Sequence, residues 1–282
     1  MSNLPFPSLF ISHGSPMTAL HPREAGAFWT GLGARIDAVF GRPQAVLVAS
    51  AHTRHRQPVL LAAPGHRAIY DFGGFDPQLR TLQYDAPGAP AHAQGLVQHL
   101  QAQGLACSIS GQGGLDHGIW VPMRQLWPQA DVPVLPLAWP ADATATELWA
   151  LGRAIAPWAQ AERVLVLGSG SITHNLERVF AGGHMPAVDE PEATDCAAFR
   201  DWFADHGRAA QWAQLLDWAR RAPHAQAMHP SDEHLLPFFL AAGASGEPAA
   251  QALRLHASIT YGCLGMDSYA FGAAAYWLAT DA

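Results

Sequence analysis

Short apolar runs that stop abruptly at a polar residue or a glycine recur along this chain, and they limit what it can fold into. Ser8–Ser12, Ala45–Ser50, Val59–Ala63, Val132–Leu137 and Val164–Leu167 are too short for core helices. Several are rich enough in β-branched residues to read as strands buried on both faces. Between them, 22–36, 91–103, 145–159 and 211–220 carry apolar residues at three- and four-residue spacing, and the first opens with a proline suited to a first helical turn. Strand alternating with helix predicts an α/β fold, with a central, mostly parallel or mixed sheet flanked by helices.

Two stretches, Pro64–Pro90 and Gly182–Thr194, are rich in turn-forming residues without a period and read as loops, the first long enough to cover a site. There is no repeat, low-complexity tract or linker, so residues 1–282 are expected to form a single catalytic domain.

Composition narrows the function by exclusion. A net charge of −7 and a pI near 6.1 offer no cationic surface to nucleic acid or an anionic membrane, so a small-molecule partner is expected. All 16 cationic residues are Arg, which removes Schiff-base and P-loop chemistry. Cys107, Cys196 and Cys263 are scattered and odd in number, pointing to neither a disulfide framework nor a thiolate zinc site, and a reducing cytoplasm is the expected compartment. No signal peptide or spanning segment is evident, so a soluble protein is expected.

Against this background 15 His stand out. His13 and His52 each follow an apolar run directly, and His174 follows Val164–Leu167 across Gly168-Ser169-Gly170-Ser171, whose small residues permit close backbone approach to a ligand. In an open α/β sheet, ligands gather beyond the carboxyl ends of the strands, where such residues converge. His229 and His234 flank Pro230-Ser231-Asp232-Glu233 ahead of a second apolar segment, and His234 is placed to open a helix. His117 lies in a turn before another. His55, His66, His92, His99, His206, His224 and His256 read as structural or surface residues. Ser169 and Ser171 lie outside any GxSxG motif, which disfavours a serine nucleophile.

The motifs Ser12-His13-Gly14-Ser15-Pro16-Met17, Ser50-Ala51-His52, Asp71-Phe72-Gly73-Gly74-Phe75, Leu115-Asp116-His117-Gly118, Thr173-His174-Asn175-Leu176 and His229 to His234, followed by Tyr261 to Met266, resemble, in order, the LigB-type extradiol dioxygenases, particularly their DOPA 4,5-dioxygenase-like branch. The resemblance runs from about residue 8 to residue 270. It implies a mononuclear metal held by His13, His52 and His234, with Fe(II) expected and Zn²⁺ possible in the same site. It also implies a catechol and O₂ as substrates and a muconic semialdehyde as product. His174 falls on the acid/base position, close enough to the metal to serve as a fourth ligand, and is expected to titrate near neutrality. His117 falls on a position touching substrate or oxygen. His229 and Tyr261 are candidate substrate contacts, Trp120, Phe72 and Phe75 candidate pocket walls, and a nearby Arg a candidate partner for a substrate carboxylate. Glu233 should face away if His234 is a ligand. The motif Ala51-His52-Thr53 departs from the family, where an aromatic residue commonly follows the histidine. A zinc hydrolase using the same three histidines, with His174 or Glu233 as base, and a non-catalytic metal carrier are the alternatives.

Overall fold

The computed structural model describes residues 4–180, 186–247 and 250–279. Along the chain its strands are β1 (Ser8–Ser12), β2 (Ala45–Ser50), β3 (Arg54–His55), β4 (Val59–Leu61), β5 (Gly65–His66), β6 (Ala86–Pro87), β7 (Ser108–Ser110), β8 (Val134–Pro140), β9 (Val164–Gly170), β10 (Ala252–His256), β11 (Ile259–Thr260), β12 (Leu264–Gly265) and β13 (Ser268–Phe271). The helices are α1 (Arg23–Phe40), α2 (Pro90–Ala102), α3 (His117–Leu126), α4 (Ala145–Ala161), α5 (Leu176–Phe180), α6 (Thr194–Arg208), α7 (Trp212–Leu216), α8 (Trp218–Arg221), α9 (Ala225–Met228), α10 (Leu236–Gly243) and α11 (Tyr276–Ala279).

The main sheet runs β10-β13-β1-β9-β2-β8-β4-β7, with β3 beside β8. Its centre, β1-β9-β2-β8, is parallel, while β13 and β4 pair antiparallel with β1 and β8. This is the expected mixed α/β sheet. Alternate residues feed two cores because strands project side chains to opposite faces. Leu9, Ile11, Val46, Val48, Leu165 and Leu167 meet Trp29 and Ile36 of α1 and Trp120 of α3. Phe10, Leu47, Ala49 and Val166 meet Leu96 of α2, Leu148 of α4, Phe199 of α6 and Phe238 of α10. Each of the larger side chains among these contributes about 1.5–3 kcal/mol on burial, so both faces hold the register.

The expected helices match α1, α2 and α4 to within a few residues; α4 starts at a capping box in which Thr144 and Glu147 exchange hydrogen bonds. The segment 211–220 is instead split into α7 and α8 at Asp217, whose carboxylate accepts from the guanidinium groups of Arg220 and Arg221. Pro64–Pro90 is not wholly irregular: β5 pairs with β6 near its ends, and a 3₁₀ turn occupies Pro77–Thr81. Of the second expected loop, residues 182–185 lie outside the described residues, and the remainder has no regular element before α6. No helix among the described residues is long and apolar enough to cross a membrane.

Candidate metal centre

Three adjacent parallel strands deliver the key side chains to one edge. His13 follows the last residue of β1, His52 lies two residues past β2, and the segment after β9 reaches His174. His234 arrives from another direction, two residues ahead of α10. Its backbone lies against β9: Ser171 N–H donates to His234 O at 2.8 Å, and a Cβ added to Gly170 would lie 1.9 Å from the same oxygen. The glycine therefore makes room for the turn carrying His234, not for a ligand as its sequence context suggested. The turn bearing His52 is pinned as well: Ser50 Oγ donates to Asp116 Oδ1 at 2.7 Å, Thr53 Oγ1 donates to the same carboxylate, and Trp139 Nε1 donates to Ser50 O at 2.7 Å.

The hydrogen bonds behind the imidazoles decide which nitrogen faces inward. Ser169 Oγ gives its proton to Gly118 O, so it accepts from His13 Nδ1–H at 3.0 Å. Glu233 Oε1 accepts from His234 Nδ1–H at 3.0 Å. Both rings thus leave Nε2 unprotonated, and His13 Nε2 lies 3.2 Å from His52 Nε2. Burial, reinforced by the neighbouring imidazoles, pushes His13 and His234 well below the ordinary histidine range. His52 is pushed down to about 3, first by burial and then by His117, against the pull of Asp71 and Glu233. A cation bound at the usual ~2.1 Å from each nitrogen spans the separation of His13 Nε2 and His52 Nε2.

Donor atoms of His13, His52 and His234 lie within 4.8 Å of one another, as do those of His52, Asp71 and His117 and those of His174, Glu233 and His234. The last two sets each include a carboxylate already engaged by a histidine. Asp71 accepts from the backbone N–H of His117 at 3.1 Å and from its Nδ1–H at 3.0 Å, and Glu233 is engaged by the back of His234. Neutral imidazoles with open access suit Fe(II) and Zn²⁺ alike.

This centre forms the floor of a cavity of about 260 Å³ lined also by His117, His174, Phe72, Phe75, Pro16, Leu176 and Leu264. Residues 7–272 match the family model for the catalytic LigB subunit of aromatic ring-opening dioxygenase. The chain belongs to the LigB family. It is 33% identical over 266 residues to a 4,5-DOPA dioxygenase extradiol of Beta vulgaris, covering 94% of this chain and 96% of that one. A protein of the same name from Portulaca grandiflora is 32% identical over 272 residues, covering 94% and 95%. A solved structure of an uncharacterized Escherichia coli K12 protein superposes with a TM-score of 0.70 at 25% identity, covering 94% of this chain and 98% of that one. As a LigB member the protein is an extradiol ring-cleavage dioxygenase of a metal-dependent family.

Within this LigB fold most of the residues singled out from sequence converge. His174 stacks on His234 with ring centroids 3.4 Å apart, and His117 lies 4.1 Å from the His52 ring. Burial pushes His174 down to about 4, with Glu233 pulling upward and His117 downward, so the imidazole is neutral well below pH 7 and does not titrate near neutrality as anticipated. His229 is absent from the cavity wall: it is 3% exposed, its Nε2–H donates to Ile172 O at 2.8 Å, and Phe199 and Trp218 flank its ring. It braces the loop beneath His174, whose N–H donates to Met228 O at 3.0 Å. Tyr261 lines a neighbouring hollow of about 120 Å³ that shares Ser15 with the main cavity. Trp120 is core, its indole N–H bonded to Ile69 O at 3.1 Å, whereas Phe72 and Phe75 do wall the cavity. Glu233 does not face away but holds the back of His234. Ser169 and Asp71 carry roles that sequence reasoning did not assign; Asp71 lay within a family motif, which was the available signal.

Proposed function

We propose that the protein is an Fe(II)-dependent extradiol dioxygenase acting with O₂ on a catechol that carries a side-chain carboxylate, as DOPA does. One observation carries the reading: three neutral imidazoles, His13, His52 and His234, converge beneath an aromatic-walled cavity. Fe(II) held there would supply Lewis acidity and the one-electron chemistry that O₂ needs, whereas Zn²⁺ would supply only the first. The chain's own residues do the rest. Phe72 and Phe75 pack against the ring and exclude water. His174, stacked on His234, and His117, beside His52, are placed to take and return the hydroxyl protons of the catechol. The adjoining hollow contains Tyr261 and Arg23; Glu24 and Asp189 line the next hollow with Arg23, but Arg23 has no ion-pair partner among the described residues, which supports a carboxylate on the substrate side chain.

We further read the chain as one catalytic domain, and place it in the cytoplasm on the strength of its three buried free thiols. The test is oxygen consumption by anaerobically prepared, Fe(II)-loaded protein across a panel of catechols with and without carboxylate side chains, alongside a Zn²⁺-loaded control. Uptake with a new visible absorbance band in the iron sample alone is expected. Silence across the panel would overturn the reading in favour of metal-dependent hydrolysis.

A further inference from the structure

Asp71 is a carboxylate that no step above requires, yet it contacts two parts of the cavity at once. It accepts from His117 twice, at the backbone N–H and at Nδ1–H, so one side chain fastens the strap 71–75 to the first turn of α3. The strap's Phe72 meets the His117 ring edge-on at 5.8 Å, and its carbonyl lies beside the Arg80 guanidinium. Phe72 and Phe75 meet edge-on at 5.8 Å and line the cavity, as does Gly73 between them. An ionised carboxylate can only accept, which places a proton on His117 Nδ1 and, in the neutral ring, the lone pair on Nε2.

We propose that Asp71 is a positioning residue for ring cleavage, fixing His117 in the Nδ1–H form and tying the aromatic strap to that histidine. The proposal rests on the dioxygenase reading for its kinetic consequence but not for its geometry. An uncharged amide at this position can donate to Nδ1 as well as accept from it, and so releases the constraint on the ring without removing the contact. The same replacement behind the catalytic histidine of the serine proteases preserves geometry while greatly lowering turnover.

The experiment uses full-length, Zn²⁺-loaded protein labelled with ¹⁵N-histidine, with long-range proton–nitrogen spectra reporting the tautomer of each ring and a His117→Gln sample assigning the His117 signals. The wild-type protein is expected to show His117 as Nδ1–H, and Asp71→Asn to convert it to Nε2–H with one metal still bound per chain. In the Fe(II) enzyme, Asp71→Asn is expected to lower kcat by about 10²–10⁴-fold with KM within about threefold of wild type. Asp71→Ala, which also frees the strap, should additionally raise KM. A wild-type His117 protonated at Nε2 overturns the proposal without any variant, as does an Asp71→Asn enzyme with wild-type kcat. If no catechol is turned over by the wild type, the dioxygenase reading fails, while the tautomer still decides the positioning claim.

Discussion

Gly170→Ala tests whether the metal centre depends on the close approach of β9 to the His234 backbone. The new Cβ would sit 1.9 Å from His234 O, and about 1.5 Å of separation is needed to restore an ordinary contact. Neither side yields easily: Gly170 is paired with Ser12 in the sheet centre, and Phe10 lies 3.3 Å from the same point. The displacement also strains the 2.8 Å bond from Ser171 N–H to His234 O. Overpacking of this kind costs about 1–3 kcal/mol and the strained bond about 1 more, so a loss of about 2–4 kcal/mol is expected. Metal-ligand distances tolerate about 0.2 Å, so a shift several times larger should remove His234 from the donor set. The assay pairs urea denaturation with metal stoichiometry by mass spectrometry. Gly31→Ala is the control, because nothing lies within 4 Å of its added Cβ and alanine favours the α1 interior by about 0.5–1 kcal/mol. A Gly170→Ala protein with wild-type midpoint and one tightly bound metal would refute the reasoning.

His52→Ala should lose the metal, whereas His174→Ala should keep it and lose turnover; normal iron content in both would refute the ligand assignment. Ser169→Ala removes the acceptor for His13 Nδ1–H and should weaken metal affinity about 10–100-fold in a chelator competition with the fold intact. His229→Ala should lower stability by about 1–3 kcal/mol in urea while leaving KM for the catechol unchanged, because His229 bonds Ile172 O behind the site; a large KM increase would restore it as a substrate contact.

Periodicity made β1, β2, β9, α1, α2 and α4 legible, since buried strands and amphipathic helices write their packing into local spacing. It was silent for β10 and β13, short strands whose pairing is set by distant partners. It was also silent for α6, although Cys196, Phe199, Phe203 and Gly207 line one buried face among its charged residues. Residue type and position after an apolar run, with the family motifs, sufficed to nominate His13, His52, His174 and His234. Sequence alone therefore determined the fold class and the pool of imidazoles from which a metal centre is built.

Tertiary structure decided which members of that pool meet and in what protonation form. The parallel order β1-β9-β2 puts His13, His52 and the His174 loop at one edge, and the close contacts at Gly168 and Gly170 admit His234 and the start of α10 beside them. Ser169 and Glu233 set the inward-facing nitrogens of His13 and His234, and Asp71 that of His117, through hydrogen bonds that for Ser169 and Asp71 cross 156 and 46 residues of chain. His229, which shares its motif with His234, points instead into the core. Hydrogen bonding and burial act over a few ångströms of space irrespective of chain separation, which is why the roles of these side chains become readable only once the chain is folded.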